Sequence, residues 1–387
     1  MRSSMFLMAK TNLPWSENDE QCCTMLDGST IVKWWRIGKN GPTGCANKQL
    51  LQHSRPMNFD QLLEKANALK KERPRGRYAP SPTGPLHLGN ARTALLAWLQ
   101  ARLMGGAFIM RNEDLDQPRV VEGSAEQIYE DLYWLELDWD EGPDVGGPVG
   151  PYNQSERTAL YEEALRRLDE AGVVFRCYCS RKDVREAASA PHDDGRVIYP
   201  GTCRFLSEEE EAQVKADKPN RTPSWRYRVP ARDVSLEDII AGRYAQNLDT
   251  EVGDFPIRRA DALFAYQLAV VVDDALMGVT DVVRGDDLLS STPRQVELFE
   301  AFGFDVPRFW HVPLMCDEEG NRMSKRDGSD SLQMLREQGK TPYEVVGKLA
   351  ASVGLAEPGE EISAGRLLDR LTIEEFEEAL RARSPYG

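Results

Sequence analysis

From Gly76 onward, short apolar runs alternate with longer stretches of helical spacing. "GRYAP" reads as a strand, the punctuated "SPTGPLHLGN" as a turn, and "ARTALLAWLQARLMG" as a helix with Leu95, Leu96, Leu99 and Leu103 in one stripe and Gly105 closing it. "GAFIMRNEDLD" predicts a second strand with acids at its end. "SAEQIYEDLYWLELD" and "SERTALYEEALRRLDEAG" predict helices, each opening at a serine with a glutamate nearby, as N-caps prefer. This alternation predicts an α/β fold around a parallel sheet.

Residues 176–245 break the pattern and read as an insertion. The alternation returns in "FAYQLAVVVDDALMGVTDVVRGDDLL", two apolar β-branched runs separated by a turn, and "RFWHVPLM" predicts a last strand. Two or three helices are expected after Ser331. Upstream, Phe59, Leu62, Leu63, Ala66 and Leu69 fall at helical spacing and predict a short amphipathic helix over 58–72. The expected organisation is an extension over 1–72, the two halves of one α/β domain over 73–175 and 246–330, the insertion between them, and a helical segment over 331–387.

Composition narrows the class. At 387 residues, with 41% hydrophobic and 29% charged residues, the chain is an ordinary globular one. No apolar run approaches the ~20 residues of a membrane helix, and the start lacks the ~7–15 apolar residues of a secretory signal. Seven cysteines, an odd number, favour free thiols or metal ligands over a disulfide framework and predict a cytoplasmic protein. The net charge of −15 argues against indiscriminate nucleic-acid binding but leaves a local basic groove open. Residues 1–72 carry ten Lys/Arg against seven Asp/Glu, the reverse of the rest, and residues 1–56 read as a mobile appendage or as an upstream translation artefact with Met57 as the natural start, with a dedicated binding arm as the alternative.

The chemistry gathers in a few blocks. In "PLHLGN", His87 and Gly89 stand where a strand gives way to a helix N-terminus, whose unpaired N–H groups attract phosphate. In "RMSKRDGS", Arg322, Lys325 and Arg326 around Ser324 make a cationic loop suited to pyrophosphate. Together, and with "RYAPSPTGPLHLGNARTALLAW", "RNEDLD", "VVVDD" and "VVRGDDLLSSTPRQ", they resemble the HIGH and KMSKS signatures and flanking blocks of the glutamyl-tRNA synthetase family of class I aminoacyl-tRNA synthetases over about residues 75–330. Asn90 departs from the fourth HIGH position, and Arg322 and Arg326 from the first and last of KMSKS.

The resemblance implies a class I synthetase Rossmann-like sheet and an ATP-dependent ligase that forms glutamyl-adenylate with Mg²⁺. It assigns ATP to His87, Gly89, Asn90, Met323, Ser324 and Lys325, with His87, Asn90 and Lys325 as the catalytic set. It assigns L-glutamate to Arg77, Tyr78, Ala79, Pro80, Ser81, Glu113, Tyr266 and Arg284; guanidiniums grip carboxylates through paired hydrogen bonds, and Glu113 suits the ammonium. Only 62 residues follow Lys325, too few for the family's anticodon-binding region, so the chain resembles the truncated branch that attaches glutamate to queuosine in tRNA(Asp), without tRNA in the activation step. A shortened enzyme charging tRNA(Glu) and a non-catalytic regulatory paralogue are the alternatives. A monomer is expected. That branch also carries a C-x-C, spacer, Y-x3-C zinc site, which here falls on Cys177, Cys179, Tyr199 and Cys203; spacing alone would pair the cysteines with His192.

Overall fold

The computed structural model describes residues 57–187, 198–315 and 331–386, together with the backbone of four short strands between Gln21 and Pro42. These four strands belong to a separate unit, Met1–Met57, and pair as two antiparallel ladders, Gln21–Leu26 with Ser29–Trp34 and Ile37–Gly38 with Gly41–Pro42.

The unit Asn58–Gly387 is built on a four-stranded parallel sheet. Its strands are, across the sheet, Arg308–Val312, Asp281–Gly285, Arg75–Tyr78 and Ala107–Met110. Helices cover the sheet, as a parallel sheet buried on both faces demands. The helix Leu88–Leu103 is buried nearly all round, beyond the single stripe its leucines suggest. The reason is the C-terminal segment, whose Val345, Leu349, Leu367, Phe376 and Leu380 share one hydrophobic core with Leu95, Leu96 and Trp98. That segment forms four helices, Leu332–Glu337, Pro342–Ala351, Ala364–Arg370 and Ile373–Arg381, rather than two or three.

Other expectations change in instructive ways. The helix Phe59–Glu72 forms as predicted, with an Asn58–Gln61 capping box, but it belongs to the body: Phe59, Leu62 and Ala66 are buried and Phe59 stacks on Phe304. The folded unit therefore begins near residue 58, not 73. The run "YQLAVVVDDAL" is a helix, Tyr266–Leu276, because a fully buried helix shows the same unbroken apolar run as a buried strand. Neither serine caps its helix. Ser124 lies in the first turn behind Gly123 and bonds Gly84, while Ser155 binds Asp114 through its N–H and hydroxyl.

The insertion forms a three-stranded antiparallel sheet of Val174–Cys177, Ser224–Tyr227 and Pro256–Arg258, so it runs past the expected boundary at 245. Its hairpin Asp233–Asp238 with Gly242–Asn247 reaches back to the parallel sheet, where Asp238 meets His311. Among the described residues no helix is long and apolar enough to cross a membrane.

Candidate active site

A cleft of about 530 Å³ opens at the C-terminal ends of the parallel strands, where open α/β sheets bind ligands. Each strand contributes as its chain leaves the sheet: Arg77 to Ser81 from the first, Glu113 beyond the second, Arg284 and Gly285 from the third, Leu314 and Met315 beyond the last. Tyr266, at the start of its helix, completes the wall. Every residue the sequence assigns to glutamate lines this cleft, as do His87, Gly89 and Asn90. Met323, Ser324 and Lys325 lie outside the described residues.

His87 is the N-cap of the helix Leu88–Leu103, with its Nδ1 accepting from the Asn90 N–H at 3.4 Å. A Cβ on Gly89 would sit 3.1 Å from the His87 ring, so the glycine keeps that imidazole in its cap position. The arrangement leaves a 16-residue helix pointing its positive end into the cleft.

The floor is a buried charge network. Arg77 Nε lies 3.4 Å from Asp274 Oδ1, Arg111 Nη1 donates to the same oxygen at 2.6 Å, and Arg111 Nη2 donates to Glu113 at 3.2 Å. Asp273, beside them, is taken by Arg157 at 2.6 Å and by Tyr161 and Gln154. Arg77 and Arg111 thus share two carboxylates, Asp274 and Glu113, while Arg284 faces the Asp238 carboxylate through His311. Burial would raise Asp274, yet Arg111 and Arg77 hold it below the usual carboxylate range. Burial pushes Glu113 up against the pull of the same two arginines. Burial also depresses Arg284, and Arg77 adds to this against the attraction of Tyr266, Asp274 and Glu113. Arg284 Nη1 is buried without a hydrogen-bond partner, which is costly for an ionised group and marks a place for an anion.

Sequence reasoning assigned Arg77, Glu113 and Arg284 and passed over the groups that brace them: Arg111, Asp273, Asp274, Arg157, His311 and Asp238. Arg111 and the two aspartates stand inside the blocks "RNEDLD" and "VVVDD", so a signal existed. Nothing in the chain pairs Asp238 with His311.

A second cluster lies in the insertion. Cys177, Cys179 and Cys203 bring their sulfurs within 4.8 Å of one another, with Cys179 and Cys203 at 3.7 Å. The Tyr199 hydroxyl is 3.4 Å from the Cys177 sulfur and accepts from the Cys203 N–H at 2.7 Å. A tetrahedral cation with bonds near 2.3 Å to sulfur and 2.0 Å to oxygen needs ligand separations of roughly 3.5–3.8 Å. The separations of 3.7 Å between the Cys179 and Cys203 sulfurs and 3.4 Å between the Cys177 sulfur and the Tyr199 oxygen match that requirement. His192 lies outside the described residues.

Comparison with known proteins agrees with this geometry. The family described as "tRNA synthetases class I (E and Q), catalytic domain" matches residues 74–364. The crystal structure of glutamate-tRNA synthetase from Elizabethkingia anophelis superposes with a TM-score of 0.68 at 31% identity, covering 78% of this chain and 66% of that one. Among curated proteins, the chain is 52% identical to glutamyl-Q tRNA(Asp) synthetase of Symbiobacterium thermophilum, over 76% of its own length and 90% of the relative's. It is 43% identical to the glutamate–tRNA ligase of the same organism, covering 62% of that protein. The fold is that of a class I synthetase catalytic domain, and the protein is a ligase. Within that class, the chain belongs to the glutamyl-Q tRNA(Asp) synthetase family.

Proposed function

We propose that the protein activates L-glutamate with ATP, without tRNA in that step, and transfers it to the queuosine at the wobble position of tRNA(Asp). The observation that carries the amino-acid half is the donor set of the cleft floor: two buried guanidiniums, Arg77 and Arg284, the latter with a nitrogen lacking a protein partner, and the Glu113 carboxylate match a ligand with two carboxylates and one ammonium. Arg77 and Arg284 receive the carboxylates, Glu113 the ammonium, and Tyr266 donates a hydroxyl. The nucleotide lies at the helix end capped by His87, with Gly89 and Asn90 beside it and the loop of Met323, Ser324 and Lys325 over the phosphates.

In the first step a glutamate carboxylate oxygen attacks the α-phosphorus of ATP in line and pyrophosphate leaves. No protein nucleophile takes part; the residues orient the two substrates and offset charge as it develops, His87 at the phosphates and Lys325 at the departing pyrophosphate. Mg²⁺, bound with ATP, shields the phosphate charge. The relatives' names and the near-complete match to the glutamyl-Q relative support queuosine as the acceptor. In the insertion, Cys177, Cys179, Cys203 and Tyr199 hold one structural Zn²⁺, whose chemistry is that of a closed four-ligand clamp.

Labelled glutamate, ATP and queuosine-containing tRNA(Asp) test this reading. Label should enter that tRNA and not tRNA(Asp) lacking queuosine. Label in tRNA(Glu) alone would overturn it, and no glutamate-dependent ATP–pyrophosphate exchange at all would point to a non-catalytic paralogue.

A further inference from the structure

The donor pattern around Arg284 extends the reading of that arginine as a carboxylate receptor and rests on it. Arg284 Nε donates to His311 Nε2 at 3.0 Å and Nη2 donates to Thr292 Oγ1 at 2.8 Å. Since a guanidinium can only donate, His311 Nε2 must accept and the ring proton must sit on Nδ1. Nδ1 lies 2.6 Å from Asp238 Oδ2, which accepts it. The other oxygen, Oδ1, takes the backbone N–H groups of Ile240 at 2.9 Å and Ala241 at 2.8 Å, so the carboxylate cannot turn. Arg284, His311, Asp238 and Thr292 are all buried and come from four different elements: two parallel strands, the insertion's hairpin and the start of the helix Thr292–Phe302.

We infer that Asp238, His311 and Thr292 form a positioning relay that fixes two of the three guanidinium nitrogens of Arg284 and leaves Nη1 as the one nitrogen without a protein partner. Burial lowers His311 to about 4 in spite of Asp238, so the imidazole stays neutral and keeps its acceptor. Arg284 stacks at the same time over Phe309, 5.0 Å from the ring centre, which holds the plane of the fork. A free arginine would have to order two to four torsions on binding; this one has lost that freedom in advance. The relay also couples the receptor to the insertion, because Asp238 belongs to the hairpin that separates the two halves of the catalytic domain.

The test uses the full chain in glutamate-dependent ATP–pyrophosphate exchange, tRNA(Asp) present, with melting temperature measured for each variant. His311→Leu removes the acceptor and should raise the glutamate KM by about tenfold or more while the ATP KM stays within about twofold. His311→Gln places an amide oxygen where Nε2 stood and should recover to within about threefold of the native KM. Asp238→Asn is the sharper variant. Its oxygen is claimed by the Ile240 and Ala241 N–H groups, so its NH₂ faces His311, moves the ring proton to Nε2 and sets donor against donor at Arg284. It should match His311→Leu in glutamate KM. Should His311→Leu fail to fold, Asp238→Asn and Thr292→Val carry the test, the latter with a smaller rise. Equal losses in His311→Gln and His311→Leu, or a kcat effect with unchanged glutamate KM, overturn the relay. Arg284→Ala separates the two levels: if it leaves the glutamate KM unmoved the reading of Arg284 itself falls, and if it alone raises the KM only the relay falls.

Discussion

The cleft floor and the cysteine cluster both gather polar groups from distant parts of the chain, yet they are built on opposite terms. In the cleft, charges are matched almost entirely by one another, and the partners sit on a parallel sheet and on buried helices: Asp273 alone is held by Arg157, Tyr161 and Gln154. The cluster has three sulfurs and a phenol within contact distance and only a small local core behind them, Phe175 with the ligands themselves. Three thiolates and a phenolate repel unless a cation stands between them. The comparison teaches where preorganisation comes from. One site is held by the fold; the other would hold its part of the fold through the metal proposed for it.

The largest break should come from the cleft. Arg77→Ala removes a buried guanidinium proposed to receive a substrate carboxylate, which costs about 3 kcal/mol, on the order of 100-fold in glutamate-dependent exchange. The fold should survive, since Asp274 keeps its closer partner, Arg111 at 2.6 Å. Circular dichroism and exchange kinetics on the purified variant check both halves, and a variant that melts without losing activity in its folded fraction would reverse the contrast.

Metal removal should act the other way round. Chelation, or Cys179→Ser, should release the ion and expose the segment around Tyr199 to proteolysis, lowering the melting temperature by several degrees, as loss of about 1–2 kcal/mol does in a chain of this size. Exchange should remain within about threefold, because no cluster residue lines the cleft. Transfer to tRNA should fall further. Metal content by elemental analysis and limited proteolysis read the outcome; loss of exchange in step with the metal would erase the distinction between the two sites.

How far these two sites were readable in the chain follows from the kind of signal each leaves. His87, Gly89, Arg77, Glu113 and Arg284 sit in short contiguous blocks, so local pattern and family resemblance found them. The braces did not show. Asp238 and His311 are 73 positions apart, and only the docking of the hairpin on the last strand makes them a pair. The run over Tyr266–Leu276 does not declare itself a helix because burial of nearly the whole segment erases the period that distinguishes helix from strand. The serines at 124 and 155 carried true start signals for helices but spend their hydroxyls on Gly84 and Asp114, tertiary partners that local propensity cannot register. The helix before residue 73 looked like part of an extension because composition, not packing, drew that boundary.

A pH series sharpens the cleft. Burial raises Glu113 above its ordinary range, so it takes up a proton at higher pH than a surface carboxylate would. The glutamate ammonium needs the ionised form. Glutamate affinity should therefore be full at neutral pH and fall as pH drops through the raised pKa of the free enzyme, the KM approaching a tenfold rise per unit once below it. Glu113→Gln should show a higher KM at neutral pH and a flat profile. A native acid limb no higher than that of ordinary carboxylates, or one that persists in Glu113→Gln, would assign it to another group.

The smallest effect tests the fourth ligand of the cluster. The Tyr199 oxygen is close to Cys177 and accepts the Cys203 N–H, and the Arg226 guanidinium lies 4.0 Å from the centre of its ring. Burial and the neighbouring Cys177 sulfur push the Tyr199 hydroxyl up, against the Cys203 N–H, so the oxygen would ionise only with a cation bound beside it. Tyr199→Phe keeps the ring, its stacking on Arg226 and its packing against Phe175, and deletes only that oxygen. Metal retention should weaken by about tenfold in competition with a chelator, with water free to enter the open position. His192→Ala should leave retention unchanged. The reverse outcome would make the histidine the fourth ligand and reduce Tyr199 to a packed hydrogen-bond acceptor for Cys203.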